Sequence, residues 1–416
     1  MIVGDIDMAK DKKTIVGLDI GTSKIVAVIA EVLSDGRHEI IGIGQRESNG
    51  LKKGSVVNLE ETADSIDAAL AEAEAMAGVK VHMVCTGIAG KHIRSFNSVG
   101  MVSVKNKEVT QTDLDDALEL AKQVSLPEGQ QFIHSVVQQY IVDGKECMHE
   151  PIGMTSMKLE VKAHIVTGAV ADIDNIVKCV RRCDLDVSSL ILQPVASADA
   201  VLSQDEKELG VALIDIGGGT TDVAIFTGGM IQHTEVIPIA GDQVTNDIAF
   251  MFRTPISEAE DIKMRYGAAL KSLVNPEEEI VVPGIGDRPA ARYSRQLLAA
   301  IIEARMVEMF QRAKTIIEQS NCGRQIASGI VLTGGTMLLP GMLQLAEQVF
   351  GKSVRLGLPQ YTGRLSDVVK SPRYATVHGL LIEALRQQKR GNVSAAPKST
   401  TMALIDKIKI WLMGNI

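Results

Sequence analysis

The sequence predicts an α/β protein in which one domain is used twice. An α+β unit is inserted into the first copy, and an amphipathic helix stands at the C-terminus. Two observations carry this prediction. Near the start stands Thr14-Ile15-Val16-Gly17-Leu18-Asp19-Ile20-Gly21-Thr22-Ser23-Lys24, and an echo opens the second half, Val211-Ala212-Leu213-Ile214-Asp215-Ile216-Gly217-Gly218-Gly219-Thr220-Thr221-Asp222. Each is a β-branched apolar run, an aspartate, a glycine turn carrying hydroxyls, and a second apolar strand, so a repeated supersecondary unit is expected. The other observation is that 391–400 has a linker composition, after which 401–413 turns apolar again.

In chain order, the first copy has its second and third strands at 25–32 and 38–44, and the second copy has them at 223–227 and 231–239. Residues 61–77 read as an alanine-rich helix and 81–88 as a buried strand. From about 90 to 168 comes the inserted unit, with strands at 99–104, 131–142 and 157–167. Its helix at 112–124 is headed by Thr110 or Thr112, since a threonine hydroxyl can accept from first-turn N–H groups. Segments 241–252, 256–266 and 294–319 read as helices, with a Pro/Gly-rich hairpin around 281–289. Ser328 to Thr336 is a strand ending in a glycine turn, and a helix at 374–390 closes the body. The expected domains are an N-terminal extension (1–13), a first lobe (14–89 and 169–205), the inserted unit (90–168), a second lobe (206–240 and 322–390), its small subdomain (241–321), the linker (391–400) and the tail (401–416). Met8 is an alternative start to Met1.

The 416 residues carry 43 Lys and Arg against 51 Asp and Glu, a formal charge of −8, with 3% aromatics. That balance argues against a nucleic-acid partner, because phosphate neutralisation needs a basic face and single strands need stacking platforms. The five cysteines are scattered and do not form a disulfide framework. Cys179 and Cys183 share a helix face without further ligands at metal spacing, and read as buried thiols. No apolar run reaches the roughly 18 residues of a membrane span, and 1–13 has no apolar signal core, so a cytoplasmic location is expected.

The two aspartate-glycine turns, with Thr333-Gly334-Gly335-Thr336 as a third, suit a nucleoside triphosphate. Gly21, Gly217, Gly218 and Gly219 let backbone N–H groups approach an anion closely. Thr22, Ser23, Thr220 and Thr221 add hydroxyls, and Lys24 adds a positive charge. Asp19 and Asp215 suit water-mediated contact with Mg²⁺, which usually keeps most of its waters. One turn alone reads equally as a hairpin loop; the duplication and the third turn favour phosphate.

These three segments resemble the phosphate-1, phosphate-2 and adenosine motifs of the actin, Hsp70 and sugar-kinase superfamily. With Gly87-Ile88-Ala89-Gly90-Lys91-His92-Ile93, Val236-Ile237-Pro238-Ile239-Ala240-Gly241, Ser328 to Gly335 and the tail, essentially the whole chain resembles the bacterial FtsA cell-division family. The resemblance implies an actin-like fold, built from duplicated ribonuclease H-like domains, with ATP and Mg²⁺ in the cleft. Glu260 and Lys263 match the family's ribose and adenine contacts. As partners it implies the C-terminal peptide of the tubulin-like FtsZ, docking on 241–321, where Arg288, Arg292, Arg295 and Arg305 would meet its acidic part. It further implies self-association into filaments and contact of the inserted unit with later division proteins. The implied role is anchoring the FtsZ ring, peripherally, to the cytoplasmic face of the inner membrane at the division site.

Two residues depart from the family pattern. Gln193-Pro194 opens the first crossing helix, so no carboxylate stands there to position an attacking water. No catalytic residue is identified, and at most slow ATPase activity is expected. His378 stands where the family tends to have a small residue. A PilM-like pilus adaptor and a sugar or metabolite kinase are the alternatives on this fold. The first should lack the tail, and the second needs an aspartate base that the sequence does not locate.

As a helix, the tail places Leu404, Ile405, Ile408, Trp411 and Leu412 within an arc of about 120°, with Lys407 and Lys409 just outside it. Apolar face and flanking lysines suit a helix lying in a membrane surface; a helix docked on the protein's own body is the other reading.

Overall fold

The computed structural model describes residues 13–147, 149–320 and 322–389; most of the N-terminal extension, the linker and the tail lie outside them. Strands β1 (Thr14–Ile20), β2 (Lys24–Val32) and β3 (His38–Glu47) form an antiparallel meander. Ile25 to Ala30 are buried on both faces, which is why β2 reads as a continuous apolar run. A short hairpin, β4 (Leu51–Lys52) and β5 (Ser55–Val56), leads into α1 (Leu59–Ala77). The Asn58 side chain accepts from the N–H groups of Glu60 and Glu61, and Gly78 ends the helix in the left-handed region. The alanines of α1 let it approach β3 closely: a Cβ at Gly44 would lie 1.9 Å from the Ala69 carbonyl oxygen. Strand β6 (Met83–Ile88) then pairs parallel with β1.

The inserted unit comprises β7 (Arg94–Ser103), α2 (Gln111–Lys122), β8 (Gln130–Val142), β9 (Lys145–Cys147) and β10 (Lys158–Ala169). Its sheet order is β7-β10-β8-β9. Strand β7 begins five residues before the expected 99, because Arg94 already pairs with Thr167 on the long β10. Thr110, not Thr112, caps α2, in a reciprocal box with Asp113. Helix α3 (Val170–Arg182) and β11 (Asp186–Leu192) return the chain to the first sheet, and α4 (Gln193–Val201) and α5 (Gln204–Leu209) lead out of it.

The second copy repeats the first. Strands β12 (Val211–Ile216), β13 (Thr221–Thr227) and β14 (Met230–Ile237) form its meander. Helices α6 (Gly241–Phe252) and α7 (Ile256–Tyr266), hairpin β15 (Glu279–Val282) and β16 (Ala291–Ser294), and the long α8 (Arg295–Gln319) come next. Then come β17 (Ile330–Thr333), α9 (Met342–Phe350), β18 (Val354–Leu356), α10 (Ser366–Val369) and α11 (Ala375–Lys389). The sheet orders are β11-β6-β1-β2-β3 and β18-β17-β12-β13-β14, with matching antiparallel and parallel pairings. The echo seen in the sequence is therefore a duplicated five-stranded sheet.

The inserted sheet belongs to the first lobe by chain connection but leans on the second. Ser95 Oγ donates to the Thr234 carbonyl oxygen at 2.9 Å, and Gln138 Nε2 to that of Gln232 at 3.0 Å. Buried His164 donates from Nδ1 to Asn97 Oδ1 and accepts at Nε2 from the Thr234 hydroxyl, both at 2.8 Å. Burial pushes its pKa down to about 4, so the neutral ring is the form that this pair of partners receives.

Candidate functional site

The duplicated sheets bring the two aspartate-glycine turns face to face. Asp19 near the end of β1 and Asp215 near the end of β12 occupy equivalent positions, and both are buried. Each turn closes in the same way, Gly21 N–H onto the Lys24 carbonyl and Gly217 N–H onto that of Thr220, both at 3.0 Å. A Cβ at Gly218 would lie 1.5 Å from Ser23 Oγ, and one at Gly219 2.4 Å from Thr22 Oγ1. Only glycine fits where the turns meet.

The third turn is tied to the second. Thr336 Oγ1 donates to the Gly217 carbonyl oxygen at 2.8 Å. Gly334 has φ +95°, and a Cβ there would lie 2.5 Å from Asp215 Oδ1. Gly335 has no such constraint, its nearest prospective neighbour being Arg373 Cβ at 3.9 Å. Helix α6 starts on the second turn, with Gly241 and Asp242 N–H donating to the carbonyls of Gly217 and Gly218.

Carboxylates crowd this cleft. Burial, opposed by Lys24 and reinforced by Asp215, pushes the Asp19 carboxyl up to about 6. Burial also raises Asp215, against hydrogen bonds from Ser197 at 2.6 Å and Thr376 at 3.3 Å. Asp222, opposite Asp215 in the β12–β13 register, is raised well above its ordinary range by burial and by Asp215. The Lys24 ammonium is pushed down to about 8 by burial, although Asp19 holds it. It donates to the Arg373 carbonyl and lies 4.9 Å from the Tyr374 ring centroid. Asp222 Oδ1 and Arg373 Nε are buried with no hydrogen-bond partner among the described residues.

Lys263 is buried and anchors α7 to the start of α6, donating to Glu260 Oε2 at 2.6 Å, Thr245 Oγ1 at 2.8 Å and the Gly241 carbonyl at 3.2 Å. With Glu260 it borders the cleft turns instead of lying on a solvated helix face. Gln193 donates to Asp19 Oδ1 at 3.1 Å. The residues of the three turns, with Glu260 and Lys263, thus gather at one place. Reasoning from sequence missed Asp222, Ser197, Asp242, Arg373 and Thr376. Asp222 closes the second glycine motif and was visible there; Asp242 and Thr376 at helix starts, Ser197 within α4 and Arg373 in the turn before α11 carry no motif.

Arg288, Arg292, Arg295 and Arg305 do not make one free basic face. Arg305 forms a bidentate pair with Asp247, at 2.5 and 3.0 Å, and contacts Glu308. Arg295 pairs with both oxygens of Glu278. Arg292 reaches Glu279 only at 3.4 Å and is mostly exposed, and Arg288 is exposed. Cys179 is buried as expected and Cys183 partly so; both thiols are free and donate to backbone carbonyls. His378 is buried against His38 and Tyr361, each ring centroid 5.5 Å away.

Comparison with known proteins places this geometry. A family profile described as "Cell division protein FtsA" matches residues 212–379, and one described as "SHS2 domain inserted in FTSA" matches 90–167. The chain is 49% identical to the cell division protein FtsA of Pseudomonas aeruginosa over 409 residues, 97% of this chain and 98% of that one. It is 39% identical to that of Escherichia coli K12 over 413 residues, covering 97% and 98%. Among solved structures, the PilM-PilN type IV pilus biogenesis complex superposes with a TM-score of 0.64 at 16% identity, covering 89% of this chain and 98% of that one. MreB5 of Spiroplasma citri bound to AMPPNP gives 0.53 at 16%, covering 92% and 99%. These two share the actin-like fold. At 49% identity across nearly its whole length, and with an inserted domain of the matching kind, the chain belongs to the FtsA family of actin-like cell-division proteins.

Proposed function

We propose that this cell-division protein binds ATP with Mg²⁺ between its lobes and anchors FtsZ filaments to the cytoplasmic face of the inner membrane through its tail. The observation that carries the nucleotide part is the convergence of three turns. Two equivalent aspartate-glycine turns touch at Gly218 and Ser23, and Thr336 ties the third to Gly217. The structural neighbour MreB5, solved with AMPPNP bound, supports a nucleotide in this fold.

The donor set fits a hard cation. Buried Asp19 and Asp215 share one nearby ammonium, Lys24, and both repel the third buried carboxylate, Asp222; a divalent ion would relieve this mutual repulsion. Among the described residues no three such side chains converge closely enough to chelate a metal directly, which supports contact through the ion's waters. When bound, the ion would offset charge on the phosphates. Gly21 to Lys24 and Gly217 to Thr221 would cradle those phosphates, Gly334 to Thr336 would meet the adenosine, and Glu260 and Lys263 would contact ribose and adenine. With Gln193 in place of a water-positioning carboxylate, ATP would act chiefly as a conformational ligand.

No helix among the described residues is long and apolar enough to cross a membrane. The amphipathic segment 401–413 would instead lie in the lipid surface. Partial burial of five large side chains there gives roughly 5–8 kcal/mol gross, so one tail grips weakly and a filament of many grips well. The FtsZ peptide would dock on 241–321, with Arg288 and Arg292 meeting its acidic part because Arg295 and Arg305 are internally paired. The inserted unit would face later division proteins, and the domain limits would be those expected from sequence. The test is recruitment of fluorescent FtsZ filaments to lipid vesicles. Recruitment should need ATP and an intact tail together; recruitment without either overturns the reading.

A further inference from the structure

A cavity of about 740 Å³ opens where three parts of the molecule meet: α2 and β8 of the inserted unit, β13 and β14 of the second lobe, and the last turns of α11. Leu118, Val195, Phe226 and Met230 give it apolar walls. Its charged lining is unevenly matched. Asp199 is held by Lys207 at 2.7 Å and by Arg386, which also reaches Glu383 at 3.5 Å. Exposed Asp115 and Glu150 remain on the rim, with no ion pair to either among the described residues. The site therefore suits an apolar segment bearing about two positive charges.

The chain itself supplies one. Glu383 and Arg386 line the cavity, and the described residues end one turn later at Lys389. A ten-residue linker of this composition has an r.m.s. reach of about 17 Å, which holds the tail at roughly millimolar local concentration. As a helix, that tail carries Ile408 and Trp411 on one face with Lys407 and Lys409 beside them. The volume lies within the roughly 300–1,000 Å³ of ordinary ligand pockets, enough for two anchoring side chains and too small for a whole helix.

We propose that, away from lipid, the tail folds back onto its own chain. Ile408 and Trp411 enter this cavity, and Lys407 and Lys409 meet Asp115 and Glu150. Cavity and membrane then compete for the same side chains, so the protein releases its anchor only where lipid wins. This rests on the anchor reading above and adds a competitor to it.

Trp411 is the only tryptophan in the chain, so fluorescence of the full-length protein reports on this segment alone. Without lipid, Trp411 should be shielded from iodide compared with a synthetic 401–416 peptide. Leu118→Glu, which charges the wall, and the exposed pair Asp115→Lys with Glu150→Lys should both restore access. If the docked form holds about nine-tenths of the molecules, either change should also tighten vesicle binding about tenfold. The rim pair keeps the test decisive if Leu118→Glu misfolds. Wild-type Trp411 as accessible as the peptide overturns the proposal, as does shielding that neither variant relieves. Shielding that grows with protein concentration also overturns it, by placing the tail on a second copy. Quenching of Trp411 by brominated lipid reports separately on membrane insertion: its absence defeats the anchor reading, whatever iodide shows.

Discussion

Replacing Asp19 by asparagine should stabilise the nucleotide-free protein at neutral pH. The Asp19 carboxyl ordinarily titrates at 3.8 and is pushed up to about 6 in the fold, mainly by burial. A carboxyl raised by folding favours the folded state when protonated and opposes it when ionised. The penalty is therefore absent below pH 3.8, grows as pH rises towards 6, and is complete above. The interval corresponds to about 3 kcal/mol at most. Asparagine never ionises and keeps an oxygen for Gln193 Nε2, which now donates to Asp19 at 3.1 Å. It also removes the charge that holds the Lys24 ammonium, but that attraction already opposes burial within the Asp19 shift, so the expected gain stays at up to about 3 kcal/mol. Over a lobe-sized unfolding unit, where 1 kcal/mol shifts the midpoint by about 2–4 °C, this is at most about 6–12 °C. Thermal melts of both proteins from pH 4 to 8, without nucleotide, measure it. The curves should converge near pH 4 and separate above pH 6, and Mg²⁺-ATP should raise the melting temperature of wild type alone. A variant that melts below wild type at pH 7.5, or a gap independent of pH, refutes the reasoning.

Gly335→Asp should abolish binding of a fluorescent ATP analogue while leaving the melting temperature nearly unchanged, because a Cβ there meets nothing closer than 3.9 Å. Gly334→Ala should instead destabilise by about 1–3 kcal/mol, since it forces a side chain at φ +95° against Asp215 and the Ile216 carbonyl. Purified protein without partners should turn over ATP far below the roughly 1–100 per second of kinases; a phosphate-release assay in that range would defeat the conformational-ligand reading. Trp411→Glu should abolish sedimentation with vesicles and leave ATP-analogue binding intact. Lys407→Glu with Lys409→Glu should weaken binding to anionic lipid by about 1 kcal/mol per lysine, and a loss of the same size on neutral lipid would count against it.

The duplicated meander was legible because β-branched residues buried on both faces make runs such as Ile25 to Ala30 unmistakable. The turns were legible because the hydroxyl side chains of the first turn fill the space where the second would carry a Cβ, as Ser23 does at Gly218 and Thr22 at Gly219. Helices with strong caps or clear periodicity were found to within a few residues, α6 and α7 at their full extent. The short β18, three half-buried residues, carries no period of its own and exists because β17 offers it an edge. Sequence also could not show that Arg305 belongs to Asp247, 58 residues away, or that Ser197 and Thr376 both reach Asp215. Those contacts are made by packing of helices against one another and against β12, and no local pattern encodes them.

The hydrogen bonds that Ser95 and Gln138 donate to β14, and the one that His164 accepts from Thr234, give the inserted unit two masters. One attachment is covalent, through the chain entering at Arg94 and leaving at Ala169, and does not yield. The other is a seam whose three hydrogen bonds are worth about 1 kcal/mol each, with Met230 and Val136 packed across it. Rotation of one lobe against the other must load the weaker seam. The outer sheet then either travels with the second lobe, twisting at its own peptide connections, or slips. A slip strands a neutral imidazole in an apolar setting and must be driven by roughly 3 kcal/mol, about two decades in an equilibrium constant. A ligand that prefers one lobe arrangement by more than that would throw the outer sheet like a latch; a weaker one would leave it shut.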